Sequence, residues 1–429
     1  MIYPESTSMD AQGGLSLGGV SVTELVRTHG SPLYIMDEAT VRRNCRAYTE
    51  TLAKTYPNAT VVFAGKACLN LGLLNLMAQE KLGVDVVSAG ELFTALRSQI
   101  NPETIVFHGN NKSLEELEMA IQHRIRIVID NVQELDNIKA LTETLSQSAR
   151  VMIRLKPEIE AHTHDYIKTG QIDSKFGIDK DQMLAVVEAI LAHSQLEFLG
   201  IHSHIGSQIF DVIPFQDLAQ LMAAHMAEIK AKFGIDIPEL NLGGGVGIRY
   251  TTEDDPPLIE TFVETLTQTL KAALDQRGLP HPRLLLEPGR SLVANAGVTA
   301  YSVGAIKDIP GVKTYLFIDG GMADNPRPML YQSKYTFALA NKFKSPSEKH
   351  YAVAGKYCES GDVLTHDVVL PEASKGDTLV VFGTGAYNYT MASNYNRAAR
   401  PAMVCVGQGQ SKVWVRRETL DDLLRLDNP

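Results

Sequence analysis

The run VVFAGK at residues 61–66 is the first of eight short stretches, rich in valine, isoleucine and leucine, that alternate with segments of helical length. The other seven are VDVVS (84–88), TIVFHG (104–109), RIVIDN (126–131), RVMIRLK (150–156), LEFLGIHSHIG (196–206), PELNLGGG (238–245) and RLLLEPGR (283–290). Near-continuous apolar runs separated by helices indicate parallel strands that are buried on both faces. Eight such strands predict an α/β fold of the closed (β/α)8, TIM-type barrel class. A doubly wound open sheet is the alternative architecture.

Polar residues and glycines stand at the end of each run and not at its beginning. They are Lys66, Ser88, His108, Asn131, Arg154, His204, the glycines 243–245 and the segment 287–290. In barrels of this class the active site lies at the carboxyl ends of the strands. The pattern therefore predicts an active site built from these residues.

The sequence outside the predicted barrel differs in composition and in the length of its apolar runs. Beyond residue 294, shorter β-branched runs are separated by Gly, Pro and Asp, which predicts an antiparallel β domain over residues 295–429. The run PLYIMD (32–37) precedes the barrel and is expected to join that domain. The expected organisation is an N-terminal segment (1–39) that joins the β domain, a barrel (40–294) and a C-terminal β domain (295–429).

Composition excludes several classes of protein. With 429 residues, 44% of them hydrophobic and 21% charged, the chain is expected to form two globular domains. A net charge of −10 with scattered basic residues disfavours a nucleic-acid partner, and no run approaches the roughly 18 apolar residues that span a bilayer. The N-terminus lacks a secretory pattern and the four cysteines form no CxxC pair, so reduced thiols and a cytoplasmic location are expected.

Lys66 directly follows the first strand of the predicted barrel. An apolar environment there would lower the pKa of its ammonium group and make the amine nucleophilic toward an aldehyde. A single lysine at a strand end is more often a surface charge. The assignment therefore depends on the motifs at the other strand ends.

Two neighbouring motifs support a phosphate site. The seventh run ends with Gly243, Gly244 and Gly245. Because glycine has no side chain, the backbone amides of this segment can approach an anion closely. EPGR (287–290) follows the eighth run, and the loops after strands 7 and 8 are the usual phosphate site of such barrels. Each motif alone is a common structural device, but together they predict an anion site.

Glu287 and Arg290 have separate candidate roles. The Glu287 carboxylate can pair with a protonated pyridine nitrogen, which keeps such a ring an electron sink and favours decarboxylation. An arginine in that place would suit a racemase better, and a barrel-end salt bridge is the structural alternative. Arg290 can contact a phosphate or a substrate carboxylate.

His202 and His204 alternate along a strand, so their side chains are predicted to point to opposite faces. We expect only His204 to enter the site, where it would stack on a cofactor ring, with Ser207 holding phosphate. Because residues on opposite faces cannot share one ion without distortion, no metal site is predicted.

Eight motifs occur together in one order. They are VVFAGKA, HTHDYIKTGQIDSKFGI, HSHIGSQ, LNLGGGVG, EPGRSLVANAG, RPMLY, CESGD and GAYNYTMASNYN. From about residue 20 to residue 426 the chain resembles the barrel-type decarboxylases that depend on pyridoxal 5'-phosphate (PLP), which have an alanine-racemase-like fold. HTHDYIKTG and GAYNYTMASNYN resemble the diaminopimelate decarboxylase branch of that family and not the ornithine or arginine decarboxylases.

The resemblance implies PLP in the barrel, a C-terminal antiparallel β-barrel domain, and a homodimer whose active sites are completed across the interface. It implies that Lys66 binds the cofactor covalently and that Asp85 lies near it. The positions that match the family's other cofactor contacts include Gly244, Glu287, Pro288, Gly289, Arg290 and Tyr387. The positions that match its substrate contacts are Arg290, Arg327, Tyr331, Glu359 and Tyr387. Cys358 matches the proton donor, which would come from the partner subunit.

The implied reaction is decarboxylation of meso-2,6-diaminoheptanedioate (meso-diaminopimelate) to L-lysine and CO₂, the last step of lysine biosynthesis. A substrate with an amino-acid group at each end needs a cation and an anion at its distal end, and Arg327 and Glu359 offer them. The alternatives are a related decarboxylase of D-lysine, D-ornithine, arginine or carboxynorspermidine, a racemase, and a PLP-binding protein without a reaction. Glu287 disfavours the racemase, and CESGD with GAYNY disfavours the non-catalytic protein. Cys358 as a buried apolar residue is disfavoured by its polar, loop-like neighbours.

Overall fold

The computed structural model describes residues 1–157 and 175–428. Most of the HTHDYIKTGQIDSKFGI motif (162–178) lies outside the described residues. The chain divides into two compact units. The barrel unit comprises Asn44–Gly247 and Pro256–Ser291, and the β unit comprises Met1–Arg43, Ile248–Asp255 and Leu292–Pro429.

The described residues form strands of two to thirteen residues. They are β1 (Ser8–Met9), β2 (Leu15–Leu17), β3 (Val20–Ser21), β4 (Leu33–Asp37), β5 (Ala59–Ala64), β6 (Gly83–Val86), β7 (Ile105–Phe107), β8 (Arg126–Ile129), β9 (Ala149–Arg154), β10 (Leu196–His202), β11 (Glu239–Asn241), β12 (Arg283–Leu286), β13 (Gly297–Ile309), β14 (Lys313–Ile318), β15 (Phe337–Leu339), β16 (Lys349–Ala354), β17 (Val363–Leu370), β18 (Thr378–Phe382), β19 (Ala402–Gly407) and β20 (Gln410–Val415).

The helices connect these strands. They are α1 (Val22–His29), α2 (Glu38–Thr55), α3 (Leu71–Gln79), α4 (Ala89–Leu96), α5 (Leu114–Gln122), α6 (Val132–Leu145), α7 (Lys180–Leu191), α8 (Ile213–Phe233), α9 (Ile259–Gln276), α10 (Arg290–Val293), α11 (Arg327–Tyr331) and α12 (Leu420–Leu424).

The barrel unit is a closed parallel barrel of eight strands. Strands β5 to β12 pair in chain order, and β12 closes the ring by pairing with β5 in parallel. Each strand corresponds to one of the eight apolar runs, so the predicted (β/α)8 fold is confirmed and the open sheet was the wrong alternative. An apolar core fills the barrel interior, formed by Val62, Val106, Val128, Met152, Leu199 and Leu285.

Two of the polar residues at strand ends cap the following helix. The Ser88 hydroxyl accepts a hydrogen bond from the Glu91 amide at the start of α4, and the Asn131 side chain accepts one from the Glu134 amide at the start of α6. A side-chain oxygen at this position satisfies an amide that has no partner within the helix. Ser88 and Asn131 therefore stabilise the first turns of α4 and α6.

The β unit contains a nine-stranded sheet, with strands in the order β17-β16-β14-β13-β4-β19-β20 and with β18 and β15 paired beside β13. Strand β4, which precedes the barrel in the chain, pairs antiparallel with β13 and parallel with β19. Strands β14 and β16 are also parallel. The sheet is therefore mixed, whereas the sequence predicted a purely antiparallel domain.

The mixed pairing has a topological cause. Strand β4 reaches the sheet from a segment that lies far from β19 in the chain, and parallel neighbours require a long connection and not a hairpin. One apolar core holds this unit together. It includes Leu15, Leu17, Leu33, Ile35, Val298, Phe382 and Val404.

Candidate active site

Lys66 lies in a single 3₁₀ turn, Gly65–Ala67, directly after β5. Gly65 and Ala67 are buried, whereas Lys66 is exposed. The turn adjoins the EPGR segment, because the Ala64 amide donates to the Pro288 carbonyl at 3.0 Å. A Cβ atom on Gly289 would lie 2.9 Å from the Ala64 Cβ, so this close approach requires glycine.

Asp85, in β6, is a buried carboxyl group near Lys66. Its Oδ1 atom has no hydrogen-bond partner within residues 1–157 and 175–428. Burial raises the pKa of Asp85 to about 7, although the charges of His108 and Lys66 act to lower it. A buried oxygen without a partner is costly unless a ligand satisfies it.

Glu287 directly follows β12, the eighth strand of the barrel, and is surrounded by hydrogen-bond donors. Its Oε1 atom accepts from His108 Nε2 at 2.7 Å and from Asn241 Nδ2 at 2.6 Å. Its Oε2 atom lies 3.3 Å from His202 Nε2. The carboxylate is thus held by residues from three other barrel segments.

The surroundings of Glu287 keep it charged. Burial favours the neutral acid, but the neighbouring His108 and His202 imidazoles and the hydrogen bond from His108 outweigh burial and hold the pKa of Glu287 well below its usual range. Burial also lowers the pKa of His202 to about 4, so His202 is neutral near pH 7. A buried carboxylate in this state can stabilise a positive charge on a ligand.

His108, His202 and Glu287 also form a group whose possible ligand atoms lie within 4.8 Å of one another. Zinc ligands at about 2.0–2.1 Å with tetrahedral angles would stand roughly 3.3 Å apart. The 2.7 Å separation of His108 Nε2 and Glu287 Oε1 is instead that of a direct hydrogen bond. The geometry favours a hydrogen-bonded carboxylate over a metal site.

The three glycines after β11 form a tight cradle. Gly243 has φ +63°, and a Cβ atom on Gly244 would lie 2.1 Å from the Glu287 carbonyl oxygen. The Gly244 amide donates to His204 Nδ1 at 3.3 Å, and the Glu287 amide donates to the Gly243 carbonyl at 2.7 Å. The cradle is therefore fixed between His204 and the EPGR segment, with Gly245 at its far end.

Ser207 and Arg290 meet beside this cradle. Arg290 donates to the Ser207 hydroxyl from Nε at 3.2 Å and from Nη2 at 3.0 Å, and Arg290 is buried. A buried guanidinium next to a hydroxyl and a glycine loop is a suitable donor set for a phosphate.

Both histidines of HSHIGSQ contact this region, whereas the sequence predicted that only His204 would do so. Strand β10 ends at His202, so the alternation of side chains does not extend to His204. His202 approaches Glu287 and packs edge-on against the His108 ring, with centroids 4.6 Å apart. Burial and the charge of Lys66 lower the pKa of His204 well below its usual value, so its ring is neutral.

The β unit brings Arg327, Tyr331 and Tyr387 together. The Arg327 guanidinium carbon lies 5.0 Å from the Tyr331 ring centroid and 5.3 Å from the Tyr387 ring centroid. Arg327 is only 8% exposed, and its Nε atom has no hydrogen-bond partner in the described part of the chain. Tyr387 has φ +61°, a backbone strain that typically occurs at functional sites.

Cys358 and Glu359 lie in an exposed loop of the β unit. Cys358 is a free, exposed cysteine, and Glu359 accepts a hydrogen bond from the Tyr395 hydroxyl. Buried Asp362 fixes the base of the loop, because its carboxylate accepts from the Met322 amide at 2.7 Å and from the Tyr357 amide at 2.9 Å. The thiol is therefore presented on an anchored loop.

Comparison with known proteins identifies the family. A model of the pyridoxal-dependent decarboxylases, pyridoxal binding domain, matches residues 38–294. A diaminopimelate decarboxylase from Synechocystis is 47% identical, covering 99% of this chain and 92% of the relative, and one from Bacillus subtilis is 44% identical, covering 100% and 98%. The chain belongs to the diaminopimelate decarboxylase family. The crystal structure of the M. jannaschii diaminopimelate decarboxylase in complex with L-lysine superposes with a TM-score of 0.94 at 34% identity, covering 100% of this chain and 99% of that one.

Membership of the diaminopimelate decarboxylase family confirms the resemblance predicted from the motifs. The protein is an enzyme, a decarboxylase, and its cofactor is PLP. No helix among the described residues is both long and apolar enough to cross a membrane.

The residues at the barrel end fit this cofactor. PLP carries a phosphate, an aldehyde and a ring nitrogen, and the barrel unit offers a glycine cradle with Ser207 and Arg290, a lysine, and an ionised carboxylate. The sequence did not predict that His108, His202 and Asn241 surround Glu287. Of these three residues, His108 alone had a signal, as the polar residue at the end of its run.

Proposed function

We propose that the protein decarboxylates meso-diaminopimelate to L-lysine and CO₂, as the last step of lysine biosynthesis. The observation that carries the substrate assignment is buried Arg327, whose Nε has no hydrogen-bond partner among the described residues. A buried guanidinium in this state suits a carboxylate. A diacid such as diaminopimelate has a second carboxylate for it, whereas ornithine and lysine do not.

Bound PLP supplies an electron sink for the negative charge that remains on carbon when CO₂ leaves. In the proposed mechanism Lys66 Nζ would hold the cofactor through its aldehyde. Ionised Glu287 would hold a proton on the ring nitrogen, which would increase the electron-withdrawing power of the ring. This role favours decarboxylation over racemisation.

The remaining cofactor contacts in this proposal are positional. His204 would contact the ring, and Asp85 would offer it a buried oxygen that has no hydrogen-bond partner among the described residues. Phosphate and ring would be held further by residues at the barrel end and, as the family match implies, by one residue of the GAYNY segment. They are Ser207, Gly243, Gly244, Gly245, Pro288, Gly289, Arg290 and Tyr387.

The substrate contacts in this proposal divide by charge. Arg327 binds the distal carboxylate, flanked by Tyr331 and Tyr387, and Glu359 binds the distal ammonium. Arg290 is the further cation for a substrate carboxylate. This set would select an amino acid with charged groups of both signs at its far end.

The experiment that tests the function is CO₂ release by purified, PLP-loaded protein. It is supplied separately with meso-diaminopimelate, L-lysine, D-lysine, L-ornithine and L-arginine. We expect release from meso-diaminopimelate alone, with lysine as the product. Release only from another amino acid, or release from none of the five, would overturn the substrate assignment.

A variant separates substrate binding from cofactor binding. Arg327→Met should raise the KM for meso-diaminopimelate by roughly 10- to 100-fold, the effect of a lost charge-assisted hydrogen bond, without changing the absorbance of bound PLP. The matched control is Arg416→Met, which removes an exposed guanidinium paired with Asp422 in the same unit. Equal KM values for the two variants would contradict the role of Arg327.

We also propose a homodimer in which Cys358 of one subunit serves the active site of the other. A shared site can be tested by mixing Lys66→Ala and Cys358→Ala subunits that carry different tags. Each variant alone should be inactive, but a mixed dimer has one site with both native residues. Random mixing should restore about one quarter of the native activity, because half of the dimers are mixed and each has one good site.

Co-purification of the two tags is the control for mixing. If mixed dimers form and their activity does not exceed that of the parent variants, the active sites are not shared. The cytoplasmic location stays a prediction.

A further inference from the structure

His108 is a buried histidine at the active-site end of the barrel, directly after β7, and the proposed reaction gives it no role. Its Nε2 atom lies 2.7 Å from Glu287 Oε1. Its backbone amide donates to the Val86 carbonyl at 2.8 Å, so the residue is fixed at both ends. The side chain therefore belongs to the environment of Glu287.

The ionised state of Glu287 determines which atom carries the hydrogen in its hydrogen bond with His108. An ionised carboxylate can only accept, so His108 Nε2 must carry the hydrogen. Asn241 Nδ2 donates to the same oxygen at 2.6 Å, while Asn241 Oδ1 accepts from the Gly243 amide at 2.9 Å. Oε1 of Glu287 is thus held by two donors, and one of them links it to the glycine cradle.

The second carboxylate oxygen of Glu287, Oε2, is not held by such donors. His202 Nε2 lies 3.3 Å from Oε2, but without the geometry of a hydrogen bond to it. Two donors on one oxygen fix the rotation of the carboxylate and leave the other oxygen able to accept a hydrogen from a ligand. A charged donor on a bound pyridine ring is the strongest partner available for it.

We infer that His108 is a positioning residue for PLP, which holds Glu287 so that Oε2 accepts the hydrogen on the ring nitrogen of the cofactor. This inference rests on the proposed role of Glu287. His108 itself acts through Glu287 and makes no contact with substrate in this assignment. Its loss should therefore affect the protonation of the ring nitrogen and the affinity for PLP before it affects the overall fold.

The test compares three substitutions. His108→Leu keeps apolar volume and removes the donor, and His108→Asn keeps polarity in a side chain too short to reach Glu287. His108→Gln keeps an N–H group in the place of Nε2. Two quantities are measured for each: the dissociation constant of PLP by equilibrium dialysis, and the nitrogen NMR shift of ¹⁵N-labelled PLP in the reconstituted protein.

We expect His108→Leu and His108→Asn to bind PLP roughly 10- to 100-fold more weakly, the effect of losing one hydrogen bond to a charged group. Their ring-nitrogen signal should move toward that of the unprotonated pyridine. His108→Gln should restore both quantities to near the native values. If His108→Leu does not fold, as judged by circular dichroism, His108→Asn takes its place in the comparison.

His193→Leu is the matched control, because His193 Nε2 pairs with Glu143 Oε1 at 3.3 Å on the outside of the barrel unit. It should leave both quantities unchanged. A native nitrogen signal and native affinity in His108→Leu or His108→Asn would overturn the inference. Glu287→Gln separates the proposed role of Glu287 from the inference on His108. If Glu287→Gln also leaves the nitrogen signal native, the proposed role of Glu287 fails. If Glu287→Gln shifts the signal and the His108 variants do not, only the inference on His108 fails.

Discussion

Replacing Lys66 with alanine is expected to abolish covalent binding of PLP and to lower kcat by about 10³-fold or more, since an amine that both binds the cofactor and exchanges protons is lost. The side chain follows β5 in a turn that adjoins the EPGR segment. The first measurement is the visible absorbance of the PLP-loaded protein, which should lose the band of covalently bound cofactor. Borohydride reduction and peptide mass analysis should then find the added mass on the Lys66 peptide of the native protein only.

Lys54→Ala is the matched control for this experiment. Lys54 is an exposed lysine in α2, within the same barrel unit, and its loss should leave absorbance and activity unchanged. An unchanged visible spectrum in Lys66→Ala would refute the assignment of Lys66 and require another lysine. Lys112 would then need testing, although its ammonium is already hydrogen-bonded to Glu134 at 2.6 Å.

The barrel could be predicted from the sequence because its strands are buried on both faces. Burial on both faces requires continuous apolar runs, and eight such runs separated by helices leave few alternatives. The polar ends of those runs also predicted the end of the barrel at which Lys66, Asp85 and Glu287 lie. These features depend on local sequence and on the direction of the chain.

The contacts between strand ends could not be predicted in the same way. His108 and Asn241 meet at one oxygen of Glu287 although they lie 179 and 46 residues away from it in the chain. Their meeting depends on the register around the closed barrel, which no local pattern specifies. His202 was misjudged for a related reason, because strand alternation holds only while the strand continues, and β10 ends at that residue.

In the β unit, too, the strands could be predicted from local sequence but their pairing could not. Its strands were predicted from β-branched runs, but their directions depend on which strands become neighbours. The parallel pairs β4 with β19 and β14 with β16 join segments that no hairpin connects. β-branched residues occur in strands of either direction, so the short runs of this unit indicated strands without indicating which neighbour each one pairs with.

Cys358→Ala is expected to lower kcat by about 10²- to 10⁴-fold, the usual contribution of a positioned general acid. The residue is proposed to protonate the carbon after CO₂ has left, so substrate binding does not depend on it. The KM for meso-diaminopimelate and the absorbance of bound PLP should therefore stay close to the native values. Steady-state kinetics and an absorbance spectrum of the same preparation measure all three quantities.

The other cysteines provide the control for this prediction. Cys405 lies in β19 of the same unit, where burial raises the pKa of its thiol to about 12, so it is a poor proton donor near pH 7. Cys405→Ala should keep the native kcat even if it lowers stability. If Cys358→Ala also kept a kcat within about threefold of native, well below the contribution of a general acid, the proton would have to come from another group. The exposed, anchored loop that carries Cys358 would then serve substrate binding alone, through Glu359.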